Sequence, residues 1–388
     1  MTPHVESEDA SSTRRRWLRG GVRFAASCVG LSSATQHLFA GLTAARQQPQ
    51  PVPSVHERIR SDAADAPLAM RFAGKSRDEC EAWQAKFRAK LLELLGNPRP
   101  PARWQVVREA ELRWPDHVRE ELVLTADRVA PLPIHVLRPA TGSGPWPAVL
   151  CVHGHGAFGH DAVAGKDDDP EVARAIAASN YDYARQLVRE GFLTAAPCLT
   201  PFGRRLGDRA GYGNQDPCAV TFIRQQLLGR VLMGENLRDL LWTLDYLRTR
   251  SDAAADRQGC VGLSYGGRMT MLTAAVEPRV RVAVVSGALN VMQERVQGHY
   301  SCGAQVIPNL LQFGDVPEIA SLVAPRPLLF EVGRDDKLID PRWADIALER
   351  IRRAYDAFDA HITVDSFLAG HVWHGALAVP FLQRALRA

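Results

Sequence analysis

Residues 262–267 read Gly-Leu-Ser-Tyr-Gly-Gly, a Gly-x-Ser-x-Gly pentapeptide with one more glycine behind it. The apolar run Gly259-Cys260-Val261 leads in, and Arg268-Met269-Thr270-Met271-Leu272 leads out with the residue types of a helix. A strand entering a helix through one tight turn strains the central residue, and Gly262 and Gly266 leave the room such a turn needs. The expected consequence is an exposed Ser264 hydroxyl. An ordinary Gly/Ser turn fits the bare pentapeptide equally well, so the surrounding chain decides.

Outward from the turn, strands and helices alternate. Pro147 to His153 is an unbroken apolar run, as for a parallel strand covered on both faces. The pattern then predicts a helix over Val172 to Arg189, a strand over Phe192 to Ala196, a helix over Leu228 to Arg248 and the strand Gly259 to Leu263. Further strands are expected at Val280 to Ser286, Pro327 to Val332 and His361 to Phe367, with helices over Trp343 to Phe358 and Gly375 to Leu386. Such alternation requires right-handed crossovers and one mostly parallel twisted sheet flanked by helices, an α/β fold with its chemistry at the strand C-termini.

A serine hydroxyl needs a base to take its proton and an acid to orient that base. In this kind of fold both follow the serine in the chain. The acid is sought after the strand ending at Val332, in Gly333-Arg334-Asp335-Asp336-Lys337-Leu338-Ile339-Asp340-Pro341. Asp336, three residues past the glycine, is the chosen carboxylate, with Asp335 as a solvated neighbour and Asp340 as a helix cap before Pro341. The base is sought in Gly370-His371-Val372-Trp373-His374-Gly375. His371, directly after a glycine just past the last strand, is preferred to His374.

An oxyanion needs fixed donors. The backbone N–H of Tyr265 is one, and the second is assigned to the N–H of His155 in His153-Gly154-His155-Gly156-Ala157. Reading His153, His155 and His160 as a zinc site is disfavoured, since the glycine-rich spacing lacks the rigidity of most zinc sites and no Glu stands nearby. No metal or cofactor is expected.

His-Gly-His-Gly after an apolar strand, Gly-Leu-Ser-Tyr-Gly-Gly, Ala-Pro-Arg-Pro-Leu-Leu before the acid strand, and Gly-His-x-x-His-Gly near the end together resemble the dienelactone-hydrolase-like, acetyl-xylan-esterase-like branch of the α/β-hydrolases. The resemblance runs from about residue 120 to 388. It implies a metal-free hydrolase of carboxylic esters, acting through Ser264, His371 and Asp336 and an acyl-enzyme. The serine departs from the cysteine nucleophile of true dienelactone hydrolases, and neither xylan nor a lactone follows as substrate. A serine peptidase of the prolyl-oligopeptidase kind shares the triad order but usually carries a large propeller for which this chain has no length. A non-catalytic binding protein on the same scaffold is disfavoured by the complete set of groups.

Two irregular stretches, Cys198 to Gln226 and Gly287 to Pro325, follow strands and so fall on the catalytic rim, where they are expected to select substrate. Arg204 and Arg205 in the first are either a carboxylate clamp or solvated surface residues.

With 388 residues, 46% hydrophobic and 23% charged, the chain has the composition of a globular protein with one large core. The formal charge is +4, and the first 45 residues hold five arginines against three acids, leaving the rest near neutral. No basic patch points to nucleic acid. Thr13-Arg14-Arg15-Arg16-Trp17-Leu18-Arg19 resembles a twin-arginine export signal, with Trp17 where that signal usually has Phe. A mildly apolar stretch and the small residues Thr43-Ala44-Ala45 follow. Residues 1–45 are therefore expected to be a cleaved signal that delivers the protein to the periplasm or beyond; a disordered basic tail on a cytoplasmic protein is the other reading. Arg23 and His37 interrupt the stretch too much for a stable membrane span.

A linker over 46–56 leads to a helical extension over 57–115, with the catalytic domain over 116–388; from Val106 to Leu137 the pattern turns to short extended runs, Glu120 to Leu124 and Ile134 to Leu137, which read as antiparallel strands at the start of the sheet. Ser76 and Glu79 make a capping box for a helix carrying Cys80, Trp83, Phe87, Leu91 and Leu94 on one stripe, stopped by Gly96 and Pro98. The seven cysteines contain no Cys-x-x-Cys pair suggesting metal or redox work, and Cys198 with Cys218 is the pair to test for a disulfide.

Overall fold

Nine strands make one sheet: β1 (Gln105–Arg113), β2 (His117–Thr125), β3 (Leu132–Pro139), β4 (Trp146–Val152), β5 (Leu193–Pro197), β6 (Ala253–Leu263), β7 (Val280–Ser286), β8 (Leu328–Gly333) and β9 (Thr363–Phe367), as seen in a computed structural model that describes residues 52–298 and 301–387. Their order is β1-β2-β3-β5-β4-β6-β7-β8-β9. The first four in this order pair antiparallel, and from β5 onward every pair is parallel. The expected α/β sheet is present, flanked by helices on both faces.

Burial explains the apolar runs. β4 lies at the centre with β7 two strands away, and apart from Trp146 in the first and Arg281 in the second every residue of the two is buried. One face of the sheet joins Leu150, Val152, Cys260, Val285 and Phe330 to the helices Leu232–Thr249 and Tyr265–Val276. The other joins Cys151, Val261 and Val284 to Tyr183, Trp373 and Leu382. A buried leucine or valine of this kind contributes about 1.5–3 kcal/mol relative to exposure.

The capped helix runs Arg77–Leu94, with both halves of the Ser76/Glu79 capping box formed. Its buried face carries Cys80, Gln84, Phe87 and Leu91, and Gln84 donates to the carbonyls of Ser321 (3.0 Å) and Ala324 (2.8 Å). This helix is therefore held against residues 321–324.

Three boundaries differ from expectation. The sheet starts at Gln105, inside the stretch read as a helical extension, because β1 is an exposed edge strand whose Val106 and Val107 show no buried alternation. A helix over Val55–Ala64, capped by Ser54 and Glu57, begins inside the expected linker. The single helix expected over Val172 to Arg189 is two, Pro170–Ser179 and Tyr183–Arg189, broken at Asn180 in the left-handed conformation (φ 51°). The chain divides into two units at Val52/Pro53; the expected signal and most of the linker lie outside the described residues. No helix among the described residues is long and apolar enough to cross a membrane.

Candidate active site

Ser264 sits between β6 and the helix Tyr265–Val276 with φ 64° and ψ −124°, a conformation that costs a non-glycine residue on the order of 1–3 kcal/mol. Its amide donates to the Ser286 carbonyl (2.9 Å), which ties the turn to the end of β7. The flanking glycines answer a packing demand more than a conformational one. A Cβ on Gly266 would stand 1.9 Å from the Val152 carbonyl oxygen, and one on Gly262 would stand 2.5 Å from Gly266 itself. The turn is thus pressed against β4, and no larger residue fits at either place.

Past β8 and β9, the acid and base loops are bound together through the backbone. The Arg334 amide donates to the Phe367 carbonyl (2.9 Å), and the Asp335 amide to that of Ala369 (3.0 Å). Across this seam His371 Nδ1 lies 2.7 Å from Asp336 Oδ2. Asp336 is buried (side chain 1% exposed), and its other oxygen accepts the Leu338 amide at 2.9 Å. With the proton on Nδ1 held by Asp336, the lone pair of His371 is left on Nε2, which is buried and without a hydrogen-bond partner among the described residues. The ring packs on Gly287, the residue after Ser286: a Cβ there would come within 2.7 Å of His371 Cε1. Since Ser286 also receives the Ser264 amide, the imidazole lies beside the turn that carries Ser264.

The competing residues have other partners. Asp335 is exposed, and Asp340 caps the helix Pro341–Asp356 by accepting from the amides of Arg342 (2.9 Å) and Trp343 (3.4 Å). His374 pairs through Nδ1 with Asp365 Oδ2 (2.7 Å) and stacks on Phe367, with ring centroids 4.2 Å apart. Glu331 was not singled out from sequence. Buried in β8, it accepts the amides of Gly375 (2.8 Å) and His374 (3.4 Å), so it anchors the segment that carries His371. Burial raises its carboxyl above the usual range. A glutamate inside the apolar run Leu328–Val332 was the available signal.

The amide of Tyr265 opens its helix, where N–H groups have no intrahelical acceptor. In the loop after β4, the Gly154 amide is taken by the Tyr181 hydroxyl (2.5 Å), and the next amide, that of His155, has no acceptor among the described residues. These are the two amides that the sequence reading assigned to an oxyanion. His153 is not free to bind a metal: Leu199 N–H donates to its Nε2 and its Nδ1–H donates to the Gly154 carbonyl, both at 2.8 Å. Burial pushes its pKa down to about 4, so it is a neutral brace under the loop. His160 is also wholly buried, stacked on His135 at 4.3 Å, and burial holds it well below the ordinary histidine range.

The arginine clamp is corrected. Arg204 forms two bonds to Glu109 on β1 (2.6 and 2.9 Å), and Arg205 pairs with the buried Asp239 and donates to the Cys198 carbonyl (3.2 Å). Both are committed to ion pairs that hold the first rim stretch, so neither is a free anion receptor; Arg204 remains a surface residue, 40% exposed, while the Arg205 side chain is buried. Arg268, one turn into the helix after Ser264, was also missed. It is buried and bonded to Gln305 Oε1 (3.0 Å) and Asn290, thereby fastening the second rim stretch to that helix.

The Cys198–Cys218 pairing is likewise corrected, since both are free thiols and Cys198 lies 3.2 Å from the Phe202 carbonyl. The neighbour of Cys218 is Cys302, from the other rim stretch, with the two sulfurs within 4.8 Å of each other.

No protein-family model matches the chain. Its sequence is 30% identical over 316 residues to the protein named "Putative hydrolase YtaP" of Bacillus subtilis (strain 168), covering 78% of this chain and all of that one. Among solved structures, a "putative acetyl xylan esterase" of Bacteroides fragilis NCTC 9343 superposes with a TM-score of 0.71 at 18% identity, covering 86% of this chain and 95% of the other. The glucuronoyl esterase of Solibacter usitatus superposes with a TM-score of 0.57 at 15% identity, covering 78% and 93%. At these identities the structural likeness is one of fold, that of the α/β-hydrolases.

Proposed function

Because the chain belongs to the family of the Bacillus subtilis hydrolase-named protein YtaP, we propose that it hydrolyses carboxylic esters by a Ser-His-Asp mechanism with Ser264 as nucleophile. The observation that supports this reading is the His371–Asp336 pair at 2.7 Å, with the His371 ring packed on Gly287 and its Nε2 unengaged. In the proposed mechanism, His371 Nε2 accepts the Ser264 proton as Oγ attacks the ester carbonyl. Asp336 fixes the tautomer and stabilises the imidazolium that forms. The amides of Tyr265 and His155 hold the oxyanion; each such donor is worth about 2.7–4 kcal/mol of barrier. His371 then protonates the leaving alcohol, and water, activated by the same imidazole, hydrolyses the acyl-serine. No step uses a metal.

For substrate class, the two solved structures are named for acetyl-xylan and glucuronoyl esters, and we take a small acyl ester carried on a carbohydrate as the proposed substrate. The arginine-rich start supports export through the twin-arginine route. The test is a serine-directed fluorophosphonate label read by peptide mass spectrometry, together with a panel of acetylated sugars, p-nitrophenyl esters and aminoacyl amides. The proposal expects the label on Ser264 and turnover of esters but not amides. A label elsewhere, or amide cleavage alone, overturns it.

A further inference from the structure

We infer that the imidazole of His155 and the thiols of Cys218 and Cys302 form a binding site for a divalent cation of the zinc type on the rim of the candidate active site. Three separate parts of the chain meet here. His155 comes from the glycine loop after β4, Cys218 from the first turn of the helix Pro217–Leu227, and Cys302 from the cap of the 3-10 turn Gly303–Gln305.

Their ligand atoms all lie within 4.8 Å of one another. A tetrahedral zinc ion with Zn–S near 2.3 Å and Zn–N near 2.0–2.1 Å sets its ligand atoms about 3.5–3.8 Å apart. Shifts of roughly an ångström, within side-chain rotation, would close the three around an ion. Both thiols are free, and the Cys302 sulfur also accepts the Ala304 amide at 3.4 Å. Both sulfurs are buried (5% and 7% exposed) while His155 is exposed, so an ion has an entry path from solvent and a fourth position for water. The imidazole is braced by ring contacts with Tyr265 (5.2 Å) and Phe202 (5.3 Å).

The proposed ester mechanism uses the His155 amide and leaves its side chain without a task. Two sulfurs and one imidazole are the donor set that suits zinc. Binding releases the remaining thiol protons to the buffer, since only thiolates ligate. Two other clusters are weaker candidates. His135 Nε2 is already bonded to Asp161 (2.6 Å) with the Lys166 cation 3.7 Å from that carboxylate, and Glu331 beside His374 and Asp365 is occupied by backbone amides. An ion at His155 would tie both rim stretches to the loop that offers the second oxyanion donor; that consequence rests on the ester reading, whereas ion binding does not.

The test uses the reduced, metal-stripped full chain titrated with Co²⁺. A thiolate-to-cobalt charge-transfer band saturating at about one equivalent is expected, displaced by Zn²⁺ and lost in Cys218→Ser/Cys302→Ser. In the wild-type protein, Zn²⁺ at roughly ten times its dissociation constant should slow alkylation of Cys218 and Cys302 about tenfold, with Cys198 as internal control. The alkylation arm reads the same site without any substitution. Absence of the band and of protection in folded wild type, or a band that survives the double substitution, overturns the assignment. Loss of ester hydrolysis alone has no bearing on it.

Discussion

His371 Nδ1 stands 2.7 Å from Asp336 Oδ2, across the seam between the loops that leave β9 and β8. One turn later His374 makes a bond of the same length to Asp365, so contact with a carboxylate does not separate the two histidines. What separates them is the position of the ring. His371 packs on Gly287 beside the serine turn, whereas His374 stacks on Phe367. His371→Ala is expected to lower kcat by several orders of magnitude, and His374→Ala to stay within about tenfold of wild type, a barrier change below about 1.4 kcal/mol. Steady-state kinetics on a p-nitrophenyl ester check both, and the reverse ranking would move the base to His374.

The three aspartates of the acid loop should divide by role. Asp336→Asn is expected to keep the fold yet lower kcat by about 10⁴, through the wrong imidazole tautomer. Asp340→Ala should leave kcat largely intact and cost about 1 kcal/mol of stability by removing a helix cap. Asp335→Asn should change neither much. Kinetics and urea unfolding on the three variants decide; an Asp335→Asn defect as large as that of Asp336→Asn would show that the acid has been misassigned.

Local chemistry made much of this legible. The serine turn was readable because its glycines are demanded by approach to β4, a need written into adjacent positions. The central strands were readable because both faces are covered. β1 was legible only as the onset of extended chain near Val106, not as a strand of its own, because an exposed edge strand has no apolar alternation, and the break at Asn180 was missed because a left-handed asparagine leaves no glycine or proline signal. Arg204 and Arg205 looked available since their partners Glu109 and Asp239 lie 95 and 34 residues away. Cys218 and Cys302 were unpaired on paper for the same reason: two rim stretches meet only in the folded chain.

Acid should weaken the fold partly through His153. Its folded pKa of about 4 lies below the unfolded value near 6.5, so the unfolded state binds the extra proton between those limits. Its contribution is complete above about pH 6.5 and is lost as pH falls toward 4, up to about 3 kcal/mol. Glu331 and Asp315, raised by burial, act in the opposite sense, as their charged forms cost stability in the folded state. Comparison of wild type with His153→Gln isolates the imidazole: the stability advantage of wild type in urea should shrink between about pH 7 and pH 5. An advantage that grows on acidification contradicts the assignment.

The proposed export rests on the address at Arg14 and Arg15. Replacing both by lysine preserves charge and removes the pair that the twin-arginine route reads. Cell fractionation should find the variant in the cytoplasm and wild type outside it, with a mature N-terminus past Trp17. Equal export of both proteins would remove the claim.

Ser264→Ala, assayed for ester hydrolysis beside wild type with matched circular dichroism spectra, measures the proposed chemistry most directly. The side chain is only partly buried and its loss leaves no core cavity, so the fold should persist while kcat falls by several orders of magnitude. A variant that keeps more than about a tenth of the wild-type rate, a loss of only about 1.4 kcal/mol of transition-state stabilisation, would contradict Ser264 as the nucleophile.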